Sequence, residues 1–324
     1  MIVNYPRMKR RVKGWPDDLD TVLEFSSANP FSISAPKNWD GKLEYTNGSG
    51  WKMWDGSAIA SGEIEKNHYI YLRGTGNSKI TGTTSSSVKW SIIGTNIACN
   101  GDIDLLLDYS TVKNGNRPAM ASYCYSNMFQ GCTSLTAAPS LPATTLASYC
   151  YYYMFYGCTS LTAAPSLPAT TLANNCYNSM FQGCTSLTTA PSLPATTLAS
   201  NCYYYMFYGC TSLTTAPSLP ATTLANNCYN SMFRGCTSLT TVPSLPATTL
   251  KINCYNSMFY LCTKIKLSTT ASGTYTKSYR IPKNGTGTTA SGALVYMFGN
   301  TGGTFNGAPK INTTYYLDES NTIV

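Results

Sequence analysis

The chain has 324 residues, of which 11% are charged, with a formal net charge of +8. Soluble proteins are typically about 25% charged, so solubility here rests on hydroxyls and amides, with 25 Tyr among them. No stretch approaches the roughly 18 apolar residues of a membrane-spanning helix, and the single histidine, His68, leaves little room for acid–base catalysis.

Residues 1–20 read as a basic arm. Arg7, Lys9, Arg10, Arg11 and Lys13 place five positive charges in the first thirteen residues, followed by Trp15 and the balancing Asp17, Asp18 and Asp20. A short basic run of this kind usually reads as a solvated tail and does not by itself indicate nucleic-acid binding. The arm is expected to dock to an assembly partner. No apolar run follows the basic residues, so no secretory signal peptide is expected.

Residues 21–98 alternate in short apolar runs, for example His68-Tyr69-Ile70-Tyr71-Leu72, between turn signals at Asn47-Gly48, Asp55-Gly56 and Gly74-Thr75-Gly76-Asn77. This spacing predicts a small all-β, sandwich-like domain. Asp102, Asp104 and Asp108 follow it without the spacing of a calcium loop, and read as a charged N-terminal cap.

Residues 99–267 form the solenoid. Six copies of a 26-residue unit run over 124–265, marked by Met128, Met154, Met180, Met206, Met232 and Met258. Self-similarity at this period is the signature of stacked units sharing one core. From Pro118 to Phe233 there is no Asp, Glu, Lys, Arg or His. Within a unit, Leu224, Cys228 and Met232 recur every four residues, with Thr222 or Thr223 before them and Gly235 after them. That pattern predicts a helix with an N-cap and a glycine stop. The segment 237–246 is too rich in proline for a second helix, so Leu239 and Leu245 are expected to anchor a short strand. The expected fold is an α/β repeat solenoid, strand plus helix per unit, about 25–30 Å long at strand spacing.

Twelve of the 13 cysteines occupy two repeat positions, typified by Cys228 and Cys236. Buried free thiols explain that ladder, their spacing is not that of zinc ligands, and their redox state stays open. Residues 268–324 read as a C-terminal capping segment, in which Met297-Phe298-Gly299 repeats the Met-Phe-x-Gly core 39 residues after Met258.

The Met-Phe-x-Gly-Cys-Thr-Ser-Leu and Leu-Pro-Ala-Thr-Thr-Leu-Ala motifs resemble the BspA-like leucine-rich repeats of surface proteins from anaerobic gut and oral bacteria and their phages. The resemblance covers about half the chain and implies adhesion or binding with no fixed ligand. The absent signal sequence points toward a phage virion component of fibre or receptor-binding type. A structural or decoration protein with the solenoid as spacer, and a bacterial cell-surface adhesin, are the alternatives.

Unit-to-unit variation falls on one face, which uses Tyr, Asn, Ser and Gln almost alone. The expected binding residues are Tyr152, Tyr153, Tyr156, Tyr204, Tyr205 and Tyr208, with Arg234 and Tyr260, because tyrosine offers rigid contact area and small polar residues adapt their hydrogen bonds. A bacterial surface glycan or protein is the expected ligand, with other virion proteins bound through the arm and homo-oligomers possible. Thr136, Thr162, Thr188, Thr214 and Thr240 form a second ladder, expected to be structural. Neither a phosphate-binding loop nor a dinucleotide fingerprint occurs. No enzyme activity, cofactor, metal, nucleic acid or membrane insertion is expected.

Overall fold

The computed structural model describes residues 15–16, 19, 21–36, 39, 41–48, 50–81 and 89–324. Arg7, Lys9, Arg10, Arg11 and Lys13 of the expected arm lie outside the described residues. Trp15 packs edge-on against Tyr71, ring centroids 5.6 Å apart.

Among the described residues nine strands precede the repeats: β1 Leu23–Ser27, β2 Ser32–Ser34, β3 Leu43–Thr46, β4 Lys52–Trp54, β5 Ile59–Ala60, β6 Gly62–Ile64, β7 Asn67–Gly74, β8 Ser91–Ile93 and β9 Ile97–Asn100. They build two sheets, one containing β9-β1-β7-β3-β4 with β6 also on β7, the other ordered β5-β2-β8. In β1 the buried Leu23, Phe25 and Ser27 alternate with half-buried Glu24 and Ser26, the period of a strand with one face in a core. Trp54 of the first sheet, Trp90 beside the second, and Trp39 meet at centroid distances of 5.0–6.0 Å. The helix α1, Leu105–Lys113, follows; it is broken at Asp108 (φ −156°). The Asp108 carboxylate accepts Ser110 Oγ–H and Thr111 N–H at 2.6 and 2.9 Å, capping the second half.

The repeats join this domain without a gap. Strand β10, Leu135–Ala137 in the first unit, pairs in parallel with β9, and Ile80 and Trp90 N–H donate to the Cys124 and Met128 carbonyls. Later units are linked by parallel bridges such as Ala163 to Thr189 and Thr189 to Thr215. Strand pairing is shorter than the sequence suggests, reaching two residues again only in β11, Thr241–Val242.

The expected helix per unit is not formed. Residues 149–157, like their equivalents, fold as a run of tight turns, and α1 is the single α-helix among the described residues. Every fourth residue is left-handed, as at Tyr149, Tyr153 and Gly157 (φ 58°, 54° and 69°). Such residues end an α-helix. Main-chain bonding explains the choice. Met154, Tyr156 and Cys158 N–H donate three residues back to Tyr151, Tyr153 and Phe155, at 3.1–3.2 Å. The alternate N–H groups of Tyr151, Tyr153, Phe155 and Gly157 donate at 2.8–3.1 Å to Cys176, Asn178, Met180 and Gln182 of the next unit. A helix would use all its donors internally and leave no main-chain bonds between units. The architecture is thus a repeat fold of turns and short strands, with the core stacked in columns.

Two aromatic columns run through that core. Tyr125, Tyr151, Tyr177, Tyr203, Tyr229 and Tyr255 stack at 5.6–5.8 Å. Phe129, Phe155, Phe181, Phe207, Phe233 and Phe259 stack at 5.4–5.7 Å, and Phe298 adds a seventh ring at 5.3 Å. Each such pair contributes about 0.5–1.5 kcal/mol beyond burial. The threonine ladder is bonded as well: Thr188, Thr214 and Thr240 hydroxyls donate to the preceding unit's Thr carbonyl at 3.2–3.4 Å.

The far end is closed by β12 Leu267–Ser268, β13 Tyr275–Arg280 and β14 Thr314–Asp318, ordered β12-β14-β13, and by β15 Thr322–Ile323, which pairs in parallel with β11. Asn321, fully buried, ties the closure together. Its Nδ2 donates to the Thr240 and Lys264 carbonyls at 3.0 and 2.9 Å, and its Oδ1 accepts Lys266 N–H at 2.9 Å.

Candidate functional site

The turn segments bury two residues in four: Cys150 and Tyr151, Met154 and Phe155, then Cys158, while Tyr152, Tyr153 and Tyr156 stay half-exposed. These side chains share one side of the unit, which turns rather than a helix create. Tyr152, Tyr153 and Tyr156 form an edge-to-face cluster, with centroids 4.2 and 5.1 Å apart in sequence. Tyr204, Tyr205 and Tyr208 repeat it at 4.2 and 5.4 Å. Burial and then the neighbouring phenol push the Tyr152 hydroxyl above its ordinary range, and Tyr204 likewise beside Tyr205; both remain neutral donors.

Between the two clusters lies the rung of Asn178, Ser179 and Gln182. Asn178 and Ser179 are buried, with Ser179 Oγ–H donating to Asn178 Oδ1 at 2.8 Å and Asn178 Nδ2 to Asn175 Oδ1 at 3.0 Å. The face is corrugated, projecting tyrosines alternating with recessed amides and hydroxyls. The two clusters lie two rungs apart, each rung 5.5–5.7 Å at the phenylalanine column.

Five tyrosines of this face have left-handed backbone, Tyr123, Tyr149 and Tyr296 among them, and the other two stand at a position that varies between the six units. Tyr153 and Tyr205 have φ 54° at a position where the other units carry Asn127, Ser179, Ser231 and Ser257. Left-handed backbone costs an L-residue about 1–2 kcal/mol, with Asn better tolerated.

Farther along, Arg234 lies between Tyr208 and Tyr260, its guanidinium carbon 5.7 and 4.7 Å from their ring centroids. All eight expected binding residues thus occupy one face. The expected binding residues leave out its extensions. Tyr123 and Tyr149 stack at 4.5 Å, Tyr149 meets Tyr152 at 5.6 Å, and Tyr296 reaches Tyr260 at 6.4 Å. The signal for Tyr296 was present: it precedes Met297 as Tyr153 precedes Met154.

At the N-terminal end, Asp104, Arg117, Met120, Thr144 and Thr145 line an opening of about 400 Å³. Asp104 accepts the Tyr125 hydroxyl at 3.0 Å and Arg117 at 3.4 Å, and Arg117 also pairs with Asp102. Burial, then the Asp102 charge, raises the Asp104 carboxyl to about 6 against Tyr125 and Arg117, which oppose the shift. Asp104 is thus the buried member of the Asp cap, tied to the first ring of the tyrosine column, while Arg117 stays exposed. His68 lies in β7, its Nδ1 buried without a hydrogen-bond partner.

A family model for the BspA-type leucine-rich repeat region matches residues 108–216 and 193–280, six copies in all. The matches span more than half of the sequence. The chain belongs to the BspA-type leucine-rich repeat family. That family is often associated with surface adhesion and typically serves as a non-enzymatic binding scaffold. The BspA-type units coincide with the turn-and-column region, so the candidate face is built by the repeats themselves. No curated protein and no solved structure gives a significant match. No helix among the described residues is long and apolar enough to cross a membrane.

Proposed function

We propose that this BspA-type protein is a non-enzymatic recognition protein, carried on a phage particle with its N-terminal end toward the particle and the repeats outward. The turn face binds a bacterial surface glycan or protein. One observation carries the reading: Tyr153 and Tyr205 occupy left-handed positions that four other units fill with Asn or Ser. Bulky residues held in an unfavourable backbone region point to a role beyond packing, and here the rings stand half-exposed in matched clusters. Tyrosines set among small amides and hydroxyls suit a neutral, hydroxyl-rich ligand. The family's association with adhesion also supports a second reading, display on a bacterial cell surface.

The test is binding of labelled protein to intact bacterial cells, comparing the natural chain with a six-fold variant: Tyr152→Asn, Tyr153→Ser, Tyr156→Gln, Tyr204→Asn, Tyr205→Ser and Tyr208→Gln. Each change copies the third unit, so folding is preserved. Loss of binding supports the recognition face. Equal binding by the variant refutes it, and no binding by well-folded protein across a broad panel of hosts favours a structural spacer.

A further inference from the structure

Residues 26 apart form one outward column: Gln130, Tyr156, Gln182, Tyr208, Arg234 and Tyr260. Arg234 interrupts a long neutral stretch, since no charged residue lies between Arg117 and Arg234 and no Asp or Glu between Asp108 and Asp318. Residues 234–324 carry eight Lys and Arg against Asp318 and Glu319, so six of the eight net charges sit in this last part of the chain. The basic surplus of the described residues belongs to the C-terminal end.

Arg234 is held, half-exposed, between the Tyr208 and Tyr260 rings. Its Nε is buried with no hydrogen-bond partner, and its side chain forms no ion pair among the described residues. Tyr260 is fixed in turn, its hydroxyl accepting Asn300 Nδ2–H at 2.9 Å and its ring edge-on to Tyr296, which is 63% exposed. Stacking on aromatic rings orients a guanidinium without neutralising it. A clamped guanidinium loses less freedom on binding and presents a planar fork that matches a carboxylate. The surroundings are neutral and polar. Ser231 and Ser257 hydroxyls donate to Asn230 and Asn256 Oδ1 at 2.9 and 2.8 Å, which leaves both Nδ2 groups without a protein partner among the described residues. Amide donors and tyrosine faces around one fixed cation fit a hydroxylated ring bearing an acid better than an acidic peptide.

We infer that Arg234, Tyr208, Tyr260 and Tyr296 form a subsite for a carboxylate-bearing saccharide, such as a uronic-acid unit of a surface glycan. This deepens the recognition reading and rests on it.

The experiment is calorimetric titration of the full chain with an α-1,4-linked hexagalacturonate, its carboxyl-reduced neutral counterpart, and poly-L-glutamate. The uronate binds, and the reduced saccharide binds more weakly. Arg234→Gln, which copies Gln182 between Tyr156 and Tyr208, keeps the fold and weakens uronate binding on the order of tenfold or more. Arg234→Lys also weakens it although the charge is kept. Gln182→Arg places a second guanidinium between tyrosines and raises the number of bound uronate chains or their affinity. Equal binding of uronate and reduced saccharide, or an Arg234→Gln variant that binds as well as the natural chain, overturns the subsite. Poly-L-glutamate bound as tightly and with the same Arg234 dependence assigns the site to acidic peptides and overturns the saccharide. Failure of both saccharides while tyrosine-dependent cell binding persists removes this inference alone; failure of both assays removes the recognition reading with it.

Discussion

The thiol of Cys158 donates to the main-chain carbonyl of Phe129 in the preceding unit, sulfur to oxygen 3.0 Å. Cys184, Cys210, Cys236 and Cys262 repeat the bond at 3.0–3.1 Å. The Phe129 carbonyl also accepts Cys132 N–H at 3.0 Å, so both its lone pairs are used. All thirteen thiols are free and buried. Burial raises Cys176 and Cys184 to about 12 and Cys254 to about 11. Because the thiolate is the nucleophile, these cysteines are protonated and unreactive at neutral pH. Intact mass after iodoacetamide treatment at about pH 8 should show no labelling of folded protein, and thirteen adducts once it is unfolded in denaturant. Adducts on the native chain at columnar cysteines would contradict the packing.

Five units place a glycine at the last left-handed turn position, from Gly131 to Gly235, whereas the sixth has Leu261 at φ 64°. That side chain is 39% exposed, so little packing offsets its backbone cost. Leu261→Gly should raise stability by roughly 0.5–1 kcal/mol, the strain relieved less the added freedom of glycine in the unfolded chain. Gly183→Ala, at φ 74°, should lower it by about 1 kcal/mol. Urea midpoints decide both, and a stabilised Gly183→Ala would refute the left-handed assignment.

The hydroxyl of Tyr151 is buried with no hydrogen-bond partner, while the ring stacks between Tyr125 and Tyr177. Tyr151→Phe keeps the column and removes an unsatisfied polar group, a change worth about 1 kcal/mol in favour of the folded chain. Tyr125→Phe breaks the bond to Asp104 and should destabilise by a similar amount. A thermal melt that ranks the two variants in the opposite order would refute the pairing.

Stability should follow pH in a particular way. Asp104 has its carboxyl raised from the ordinary 3.8 to about 6 in the folded chain, so folding favours its protonated form. Its contribution is full below pH 3.8 and falls as pH rises toward about 6. Asp108 and Asp318 are depressed from 3.8 to about 2 by their hydroxyl and main-chain donors. Their contribution is present above pH 3.8 and lost as pH falls toward about 2. Together these groups favour folding most near about pH 4. In thermal melts Asp104→Asn should flatten the decline between about pH 4 and 6 and leave the acid limb intact; an unchanged decline would show that other groups cause it.

The repeat period, the buried cysteine ladder and the side of the unit that carries the variable tyrosines were legible in the sequence because each depends only on which residues recur in register; the stacked Tyr125 and Phe129 columns were not read from it. The turn conformation was misread. Leu224, Cys228 and Met232 are spaced by strict fours, where a helix alternates threes and fours to keep its stripe in line. The signal lay in the residues between. Asn175, Asn201 and Asn227 are left-handed, as is the glycine eight residues after each of them, and asparagine and glycine are the residues that accept that conformation. Tyrosine at the same positions in other units masked the pattern. The Asp104 network was not legible at all, because its burial depends on a long-range contact with Tyr125.

The fixed stacking of the units sets a length scale outside the protein as well as inside it. A residue and its equivalent two units on face the same way, separated by two steps of the aromatic columns. The surface is therefore a ruler: a polymer whose chemical repeat matches that pitch meets the same contact at each step, and one with a different pitch meets it once. Affinity for a matched polymer should rise steeply with its length, and each two-unit block added to or deleted from the chain should lengthen or shorten the ruler without touching either end.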